Sequence, residues 1–272
     1  MVLGALLTLS LAAVEVQVQP GVPRPGDVVL VIVTGTASSP SGRLGPAELT
    51  FLPLGDRWLA MTGLSVDEKP GTLPLEVVTA DAAGKDRVEG AVEVRPPDFR
   101  KRQLTVSKKF TSISKKDKQR SVEDQKAFAD ALDRDYEPWT FQAVFEWPRL
   151  ADVTAPFGDL RMFNGKKKSQ HFGMDLDGST GDPIYAANDG EVVMARDCFA
   201  SGNTVLVHHG GRLFTSYFHL SAFDVKQGDR VKRGQKLGNV GKTGRVTGPH
   251  LHFGVKLDGK WVDPASLLRL RW

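Results

Sequence analysis

The sequence predicts an all-β protein with two domains, an amino-terminal immunoglobulin-like β-sandwich and a carboxyl-terminal antiparallel β-sheet domain, joined by a short basic and helical connector. Three observations predict this class. The 272 residues include 28 glycines and 16 prolines. Most apolar segments are short and alternate with polar residues, as half-buried strands do. Turn residues separate these segments at short intervals, which is typical of sandwiches and antiparallel sheets.

The first element, residues 1–13, has the features of part of a secretory signal segment. An apolar run extends from Val2 to Val14, and Ser10 and Ala12 supply small residues at positions compatible with cleavage. No Lys or Arg precedes the run, so a buried strand is the alternative. We expect an exported protein of the periplasm or cell envelope. Because the run is too short to cross a bilayer, we expect no membrane span.

Residues 14–97 are predicted to form the immunoglobulin-like β-sandwich. The segment VEVQVQ (14–19) alternates apolar and polar residues, and VVLVIV (28–33) has the continuous apolar character of a buried strand. Further short apolar segments follow, with Gly, Pro and Asp between them. Regular short strands with such turn residues favour a sandwich.

Residues 98–137 are predicted to be a basic and helical connector. Residues 100–120 carry nine Lys and Arg against one Asp, but no aromatic-rich motif accompanies them, so we expect no nucleic-acid partner. The segment 121–135 predicts a helix capped by Ser121, with Phe128, Ala131 and Leu132 on one face. Lys166, Lys167 and Lys168, further along the chain, indicate a solvated loop; attraction to an anionic wall is the alternative.

Residues 138–272 return to short strands and contain all six histidines of the chain. Imidazole is a common neutral metal ligand and a general base near neutral pH, so this skew indicates a metal or catalytic site in the second domain. Cys198 is the one cysteine, which excludes an intramolecular disulfide and a cysteine-based metal site. We expect Cys198 to be a small packed or loop residue.

Two spacings in this domain bear on a metal site. His171 and Asp175 are four apart, and a straight strand would separate them by about 13 Å, so Gly173 must allow a bend if both bind one ion. His250 and His252 are two apart and would share one face of a strand. Both could be ligands, or one could be a ligand and the other a catalytic base; spacing alone leaves the two alternatives open.

The other histidines carry weaker signals. His219 ends the segment LFTSYFHL, where alternation predicts that Phe214, Ser216 and Phe218 share one face and that His219 lies on the other. His208 and His209 precede a Gly-Gly turn and are predicted to be structural; support of the site by His209 is the alternative.

The motifs HFGMD, YFHL and GPHLHF occur in this order, with GDPIYAANDGEVV and KRGQKLGNVGKTGRVTGPHLHF between them. Over about residues 150–266 the chain therefore resembles the lysostaphin/LytM-type zinc metallopeptidases. The resemblance implies a zinc endopeptidase that acts on peptide cross-links or stem peptides of bacterial peptidoglycan, with its site in a groove. It implies one Zn²⁺ held by His171, Asp175 and His252, with His250 as the general base and His219 as oxyanion stabiliser or proton relay.

Two other functions are weighed against this one. A catalytically silent LytM-like regulator that activates another cell-wall hydrolase would lack ligands or bases, whereas all five positions are filled here. A zinc enzyme with three histidine ligands, such as a hydratase, is disfavoured by Asp175. The resemblance also admits a regulatory contact in which the connector, over residues 98–140, or the immunoglobulin-like domain reaches the groove. Glycine bridges and D-alanyl–diaminopimelate cross-links are both possible substrates, and we favour the latter.

Overall fold

The computed structural model of the chain describes residues 6–11, 14–81, 84–104, 114–163 and 167–272. These residues form two compact units. The first contains the chain up to Asp98 together with Arg269–Trp272, and the second contains Phe99–Leu268. The second unit thus includes residues that the sequence analysis assigned to a connector. None of the helices in the described ranges is both long and apolar enough to cross a membrane.

The first unit consists of nine described strands in two antiparallel sheets. In chain order the strands are β1 (Leu7–Leu11), β2 (Val14–Gln19), β3 (Val28–Thr34), β4 (Ser41–Leu44), β5 (Ala47–Thr50), β6 (Leu52–Leu54), β7 (Arg57–Gly63), β8 (Gly71–Asp81) and β9 (Gly84–Val94). The five-stranded sheet has the order β1-β2-β3-β7-β6, and the four-stranded sheet has the order β5-β4-β8-β9.

Valines from both sheets fill the core of this unit. Val16 and Val31 of one sheet and Val77 and Val92 of the other are fully buried and belong to one apolar cluster. The unit is therefore a β-sandwich, and its immunoglobulin-like character stays a prediction. Residues 1–5 and 12–13 of the predicted signal segment lie outside the described residues; between them, Leu7–Leu11 pairs with β2.

The second unit contains one long helix and the remaining strands. In chain order they are β10 (Lys101–Leu104), α1 (Lys115–Leu132), β11 (Val153–Ala155), β12 (Leu160–Phe163), β13 (Lys167–Gln170), β14 (Met174–Leu176), β15 (Pro183–Tyr185), β16 (Gly190–Cys198), β17 (Gly202–His208), β18 (Leu213–Leu220), β19 (Ala222–Phe223), β20 (Arg230–Val231), β21 (Lys236–Asn239), β22 (Leu251–Leu257) and β23 (Lys260–Val262). A short helix, α2 (Pro264–Arg269), follows them.

The central sheet of this unit has the order β11-β14-β22-β18-β17-β16-β20, with β23 beside β22. Tyr217 of β18 pairs with Phe253 of β22, and Phe218 pairs with His252. Because side chains alternate, Tyr217 and Phe253 point to one face, the buried core, while Phe218 and His252 point to the other. The sheets are antiparallel as predicted, except that β10 pairs with β12 in parallel.

The N-cap of helix α1 lies seven residues before the predicted cap. Ser114 is the actual N-cap, since its hydroxyl accepts a hydrogen bond from the Asp117 amide, so the prediction that Ser121 caps the helix is wrong. The basic residues after Ser114 have good helix propensity and extend the helix, while Asp117 complements the dipole of its first turn. Phe128, Ala131 and Leu132 do share the face that packs on the sheet, as predicted.

A buried carboxylate fixes α1 to the sheet. Asp124 is 5% exposed, and its Oδ2 accepts a hydrogen bond from the Phe199 amide at 2.6 Å. Its Oδ1 accepts a second hydrogen bond from Arg196 Nε at 3.3 Å. A buried carboxylate must be paired to be tolerated, so these contacts specify where the helix lies. The face of the sheet that carries Phe218 and His252 therefore has α1 beside it.

Candidate active site

Three segments bring His171, Asp175 and His252 together. His171 follows β13, Asp175 lies in the middle of β14, and His252 lies in β22. Strands β14 and β22 are antiparallel, with Asp175 directly opposite His252. Residues 171–173 are not part of a strand, so the chain bends there, as the spacing required. The bend brings His171 Nε2 to 3.0 Å from Asp175 Oδ1.

The donor atoms of these three side chains converge on one point. His252 Nδ1 lies 2.8 Å from Asp175 Oδ1 and 3.0 Å from His171 Nε2. A tetrahedral zinc ion with bonds of about 2.0 Å holds its ligand atoms about 3.3 Å apart. Outward shifts of a few tenths of an ångström would therefore admit the ion. Two imidazoles and one carboxylate are also a common ligand set for catalytic zinc, so the residues fit this metal.

Outer contacts orient two of these donors. His171 Nδ1 donates to the Pro156 carbonyl oxygen at 2.9 Å, which leaves the lone pair of a neutral imidazole on Nε2, toward the cluster. Arg161 Nη2 donates to Asp175 Oδ2 at 3.2 Å and so leaves Oδ1 to face the two histidines. Burial alone raises the pKa of the Asp175 carboxyl, but hydrogen bonds from His171 and His252, which form when the ring nitrogens that face Asp175 carry a proton, outweigh it and hold that pKa below its ordinary value.

Gly173 allows the close approach of the bend to β22. A Cβ atom at this position would lie 2.5 Å from His252 Nε2 and 2.8 Å from the Phe253 carbonyl oxygen. Both distances are below ordinary van der Waals contact, and one of the obstructing atoms belongs to the backbone. The absence of a side chain at Gly173 is therefore a condition for the geometry of the cluster.

His250 lies immediately before β22 and faces the same cluster. Its Nε2 is 3.7 Å from Asp175 Oδ1, and its Nδ1 donates to the Gly248 carbonyl oxygen at 3.0 Å. In the neutral imidazole the lone pair is then on Nε2, on the side of the cluster. The placement of His250 and His252 toward one site agrees with the alternation expected from the sequence.

His219 does not follow the alternation of β18. Its φ of 69° lies in the left-handed region, which is uncommon for a residue other than glycine. The predicted placement of His219 on the face opposite Phe218 is therefore wrong, because this backbone turn brings its ring to 5.0 Å from that of His250 and 6.1 Å from that of His252. Such strained residues persist where the surrounding structure holds them and concentrate at functional sites. Here the His219 amide donates to the Ser201 carbonyl at 2.9 Å.

An aromatic stack supports His252 from the side of α1. The Phe218 ring lies 5.1 Å from the His252 ring at an interplanar angle of 10°. The Phe128 ring of α1 meets Phe218 edge to face at 5.9 Å. These contacts limit rotation of the His252 ring, so α1 supports the position of a proposed ligand although it supplies no donor atom to the cluster.

His209 belongs to a separate polar network in the core. Its Nδ1 donates to the Asp189 carbonyl oxygen at 2.7 Å, so Nε2 accepts from the Thr215 hydroxyl at 2.8 Å. Thr215 Oγ1 lies 3.0 Å from the Tyr217 hydroxyl, which accepts a hydrogen bond from the Ala187 amide at 2.9 Å. Every member of this buried chain has a partner, which is the arrangement that stabilises a core. The contacts agree with the predicted structural role of His209.

His208 and Cys198 are buried as well. The His208 ring stacks on Phe214 at 4.6 Å, and burial lowers its pKa. Cys198 is free and buried, as expected for a packed residue, and burial raises the pKa of its thiol. A raised thiol pKa disfavours the nucleophilic thiolate, so Cys198 does not suggest thiol chemistry.

Comparisons with known proteins support one family. The sequence profile of peptidase family M23 matches residues 169–264. A structure described as a peptidase M23 from Pseudomonas aeruginosa is 30% identical in sequence, covers 90% of this chain and 95% of that chain, and has a TM-score of 0.68. The chain belongs to peptidase family M23. The three clustered side chains and both additional histidines of this M23 chain lie within the matched residues.

Two curated relatives contain segments that are similar in sequence to this M23 chain. Peptidoglycan DD-endopeptidase ShyA of Vibrio cholerae is 40% identical over 125 residues, which are 46% of this chain and 26% of that protein. DD-carboxypeptidase/endopeptidase Mpg of Neisseria meningitidis is 40% identical over 97 residues, which are 36% of this chain and 22% of that protein. The M23 chain therefore matches only about a quarter of the length of each of these two relatives.

Arg161 and Phe218 contact the clustered side chains of the M23 chain, and the sequence analysis predicted neither contact. Arg161 comes from β12, in a different sheet from Asp175, and a single arginine in a strand carries no local signal of its partner. Phe218 could be read as one apolar residue of an alternating strand. Its position beside His219 in the YFHL motif was the available signal, but its stacking partner, His252, follows only from the register of β18 and β22.

Proposed function

We propose that the second unit is a zinc metalloendopeptidase that hydrolyses peptide bonds of bacterial peptidoglycan. The observation that carries this proposal is the convergence of His171 Nε2, Asp175 Oδ1 and His252 Nδ1 within 3.0 Å of one another. Two further imidazoles, His250 and His219, face the same cluster. Membership of family M23 and the endopeptidase relatives support the reaction class.

Three protein ligands would leave one zinc position open, which is the arrangement of catalytic rather than structural zinc sites. Bound there, zinc would polarise a peptide carbonyl and lower the pKa of water toward neutrality. The chain itself must then supply a base within hydrogen-bonding distance of the attacking water. It must also hold the ligands in place, which the contacts of Pro156 and Arg161 do.

His250 is the proposed general base. Its Nδ1 proton is committed to the Gly248 carbonyl, so the basic nitrogen of the neutral ring is Nε2. That nitrogen lies 3.7 Å from a proposed ligand atom, Asp175 Oδ1, and hence beside the position where the water would stand. A proton taken up at Nε2 can then be passed to the leaving amine, as general acid–base catalysis requires.

His219 is proposed to assist the proton transfer of His250 through a hydrogen bond rather than to stabilise an oxyanion. Its Nδ1 donates to the Thr243 carbonyl oxygen at 3.0 Å, so Nε2 of the neutral ring has a lone pair and no hydrogen to donate. Burial, followed by the charges that His252 and His250 carry when protonated, lowers the pKa of His219 to about 3. His219 therefore stays neutral, and its Nε2 lone pair can accept a hydrogen bond from the ring of His250 once that ring carries the proton; the two ring centroids are 5.0 Å apart.

The proposed substrate is the D-alanyl–diaminopimelate cross-link, and the proposed location is the periplasm or cell envelope. Relatives whose names include peptidoglycan DD-endopeptidase support the substrate class, and export is consistent with a peptidoglycan substrate. The silent-regulator alternative is disfavoured because all five side chains of the proposed machinery are present and oriented toward one point. Glycine bridges remain the comparison substrate for any assay.

Metal binding is the first test of this proposal. Metal-free full-length protein should bind one zinc ion per chain in a calorimetric titration and should show cleavage only when zinc is present. His171→Ala should abolish tight binding. His208→Gln is the matched control, because His208 stacks on Phe214 away from the cluster, and it should bind zinc normally. Zinc binding that is unchanged in His171→Ala would contradict the assigned ligand set.

The regulatory contact of residues 98–140 or of the first domain with the groove stays a prediction. Residues 105–113 and Lys166 lie outside the described residues, and Lys167 and Lys168 belong to β13. A deletion up to residue 137 would remove α1 and with it the support of Phe218. Reduced activity of that fragment would not report on inhibition. A chain that begins at residue 99 retains α1, and equal rates for it and the full chain would remove a role for the first domain.

A further inference from the structure

Lys256 is a partly buried cation that the proposed chemistry does not use. It lies in β22 four residues after His252, and alternation places His252, Gly254 and Lys256 on the same face of the sheet. Four residues of strand span about 13 Å. Lys256 therefore belongs to the face that carries the proposed metal site, at a distance that three to four residues of an extended peptide would cover.

Among the residues that the structure describes, Lys256 has no counterion. The Nζ atom lies 5.4 Å from the centre of the Trp261 ring, and burial lowers the pKa of the ammonium group. Within the described ranges of the chain, no carboxylate lies within ion-pairing distance of this Nζ. A desolvated ammonium gains from an anionic partner, so the site is suited to an external carboxylate.

A cavity opens at this position between α1 and the sheet. It has a volume of about 620 Å³ and is lined by Phe128, Asp130 and Asp133 on the helix side and by Phe214, Lys256 and Trp261 on the sheet side. This volume is in the range of small-molecule and side-chain binding sites. We call it the Lys256 cavity.

The two walls of the Lys256 cavity carry charges of opposite sign. Carboxylates lie on the helix side and the unpaired ammonium lies on the sheet side. Arg212, the other cation that lines the cavity, is exposed and interacts with Asp258. A ligand group with both a carboxylate and an ammonium matches these walls, whereas a simple anion would meet Asp130 and Asp133.

The Trp261 ring covers the sheet surface at Gly254, between the cluster and the cavity. Gly254 lies between His252 and Lys256, and a Cβ atom there would lie 2.5 Å from Ser216 Oγ and 3.1 Å from the Trp261 ring. Ser216 is itself buried. An extended peptide that reaches both the proposed metal site and the cavity would therefore cross the Trp261 ring, which also lines the cavity.

We propose that the Lys256 cavity binds the carboxylate and ammonium of the diaminopimelate side chain whose amine is not part of the cross-link, with Lys256 as the residue that contacts the carboxylate. This inference rests on the proposed peptidase function and adds a basis for substrate selection. Diaminopimelate and lysine differ at this side chain by the terminal carboxylate alone. The Lys256 cavity should therefore distinguish peptidoglycan peptides that contain one from those that contain the other.

The test compares two cross-linked peptide dimers, identical except for diaminopimelate or lysine in the stem, as substrates of the zinc-loaded full-length protein. Wild type should prefer the diaminopimelate dimer in kcat/KM. Lys256→Met should lower kcat/KM for that dimer on the order of ten-fold, through KM, because a charge-assisted hydrogen bond is lost. The same variant should leave the lysine dimer unchanged. Lys256→Arg keeps the charge and should retain most of the preference.

Controls separate this inference from the proposed function. Lys260→Met removes an exposed lysine of the adjacent strand and should behave as wild type toward both dimers. Melting temperatures of the variants show whether each is folded. Cleavage of neither dimer by wild type would contradict the peptidase function itself. A different outcome concerns Lys256 alone. If wild type cleaves the dimers, and the ratio of kcat/KM for the diaminopimelate dimer to that for the lysine dimer is the same in wild type and in Lys256→Met, the role of Lys256 is overturned. The peptidase function is then left standing.

Discussion

Acidification should destabilise the second unit through His209. This imidazole is fully buried, and both ring nitrogens are committed in the neutral form, Nδ1 to the Asp189 carbonyl and Nε2 to the Thr215 hydroxyl. Protonation would place a hydrogen on Nε2 against the Thr215 hydroxyl and would bury a charge. Burial, as the largest cause, lowers the pKa of His209 from 6.5 to about 4.

The direction and size of the effect follow from proton linkage. Between pH 6.5 and 4 the unfolded chain binds a proton at His209 that the folded state does not, so stability falls as the pH falls. The contribution of neutral His209 is fully present above pH 6.5. With these two pKa values, about 3 kcal/mol of it is lost at pH 4.

Chemical denaturation between pH 7 and pH 4 measures this loss, with His209→Gln as the matched variant. Glutamine can donate to the Asp189 carbonyl and accept from Thr215, yet it does not titrate. The difference in unfolding free energy between wild type and variant should therefore shrink or reverse by about 3 kcal/mol over this range. A difference that stays constant with pH would refute the reasoning, as would an NMR titration that gives His209 a pKa near 6.5.

Three substitutions test the support of the proposed metal site. Gly173→Ala places a methyl group against His252 and the neighbouring backbone, so zinc affinity should fall at least about ten-fold while the fold is retained. Calorimetry measures the affinity. An unchanged affinity would show that the bend can relax. Arg161→Met removes the hydrogen bond to Asp175 Oδ2 and should weaken zinc binding about 10- to 100-fold. If the metal-free variant also melts at a lower temperature than metal-free wild type, the role of Arg161 is structural instead. Phe128→Ala should destabilise the second unit by about 2 kcal/mol, because a half-buried ring is lost; thermal unfolding measures it, and an unchanged melting temperature would contradict the packing of α1.

The all-β class could be predicted because its signals are local, whereas the ligand set of His171, Asp175 and His252 was expected from the resemblance to the lysostaphin/LytM-type peptidases. Short alternating segments specify strands, and Gly173 marks the bend that the first pair needs. The orientation of His219 could not be predicted, since its left-handed backbone depends on contacts with Ser201 and other distant segments rather than on the alternation of β18.

Neither the N-cap of helix α1 nor its position beside the site could be predicted from the nearby sequence. Two serines could each have capped it, and the choice of Ser114 over Ser121 depends on six intervening residues that are good helix formers. A basic composition suggested a connector. The contact of Phe128 with Phe218, which places α1 beside the site, depends on the register between strands and on the buried pairing of Asp124, neither of which has a signature in the nearby sequence.

The most direct test of the central claim is product analysis. Zinc-loaded full-length protein is incubated with purified peptidoglycan of the diaminopimelate type and of the glycine-bridge type, and the products are identified by mass spectrometry beside those of His250→Ala. The account predicts cleaved D-alanyl–diaminopimelate cross-links with wild type and none with the variant, which should still bind zinc. Cleavage that persists in His250→Ala would contradict the assignment of the base, and intact peptidoglycan with zinc-loaded wild type would contradict the peptidase function.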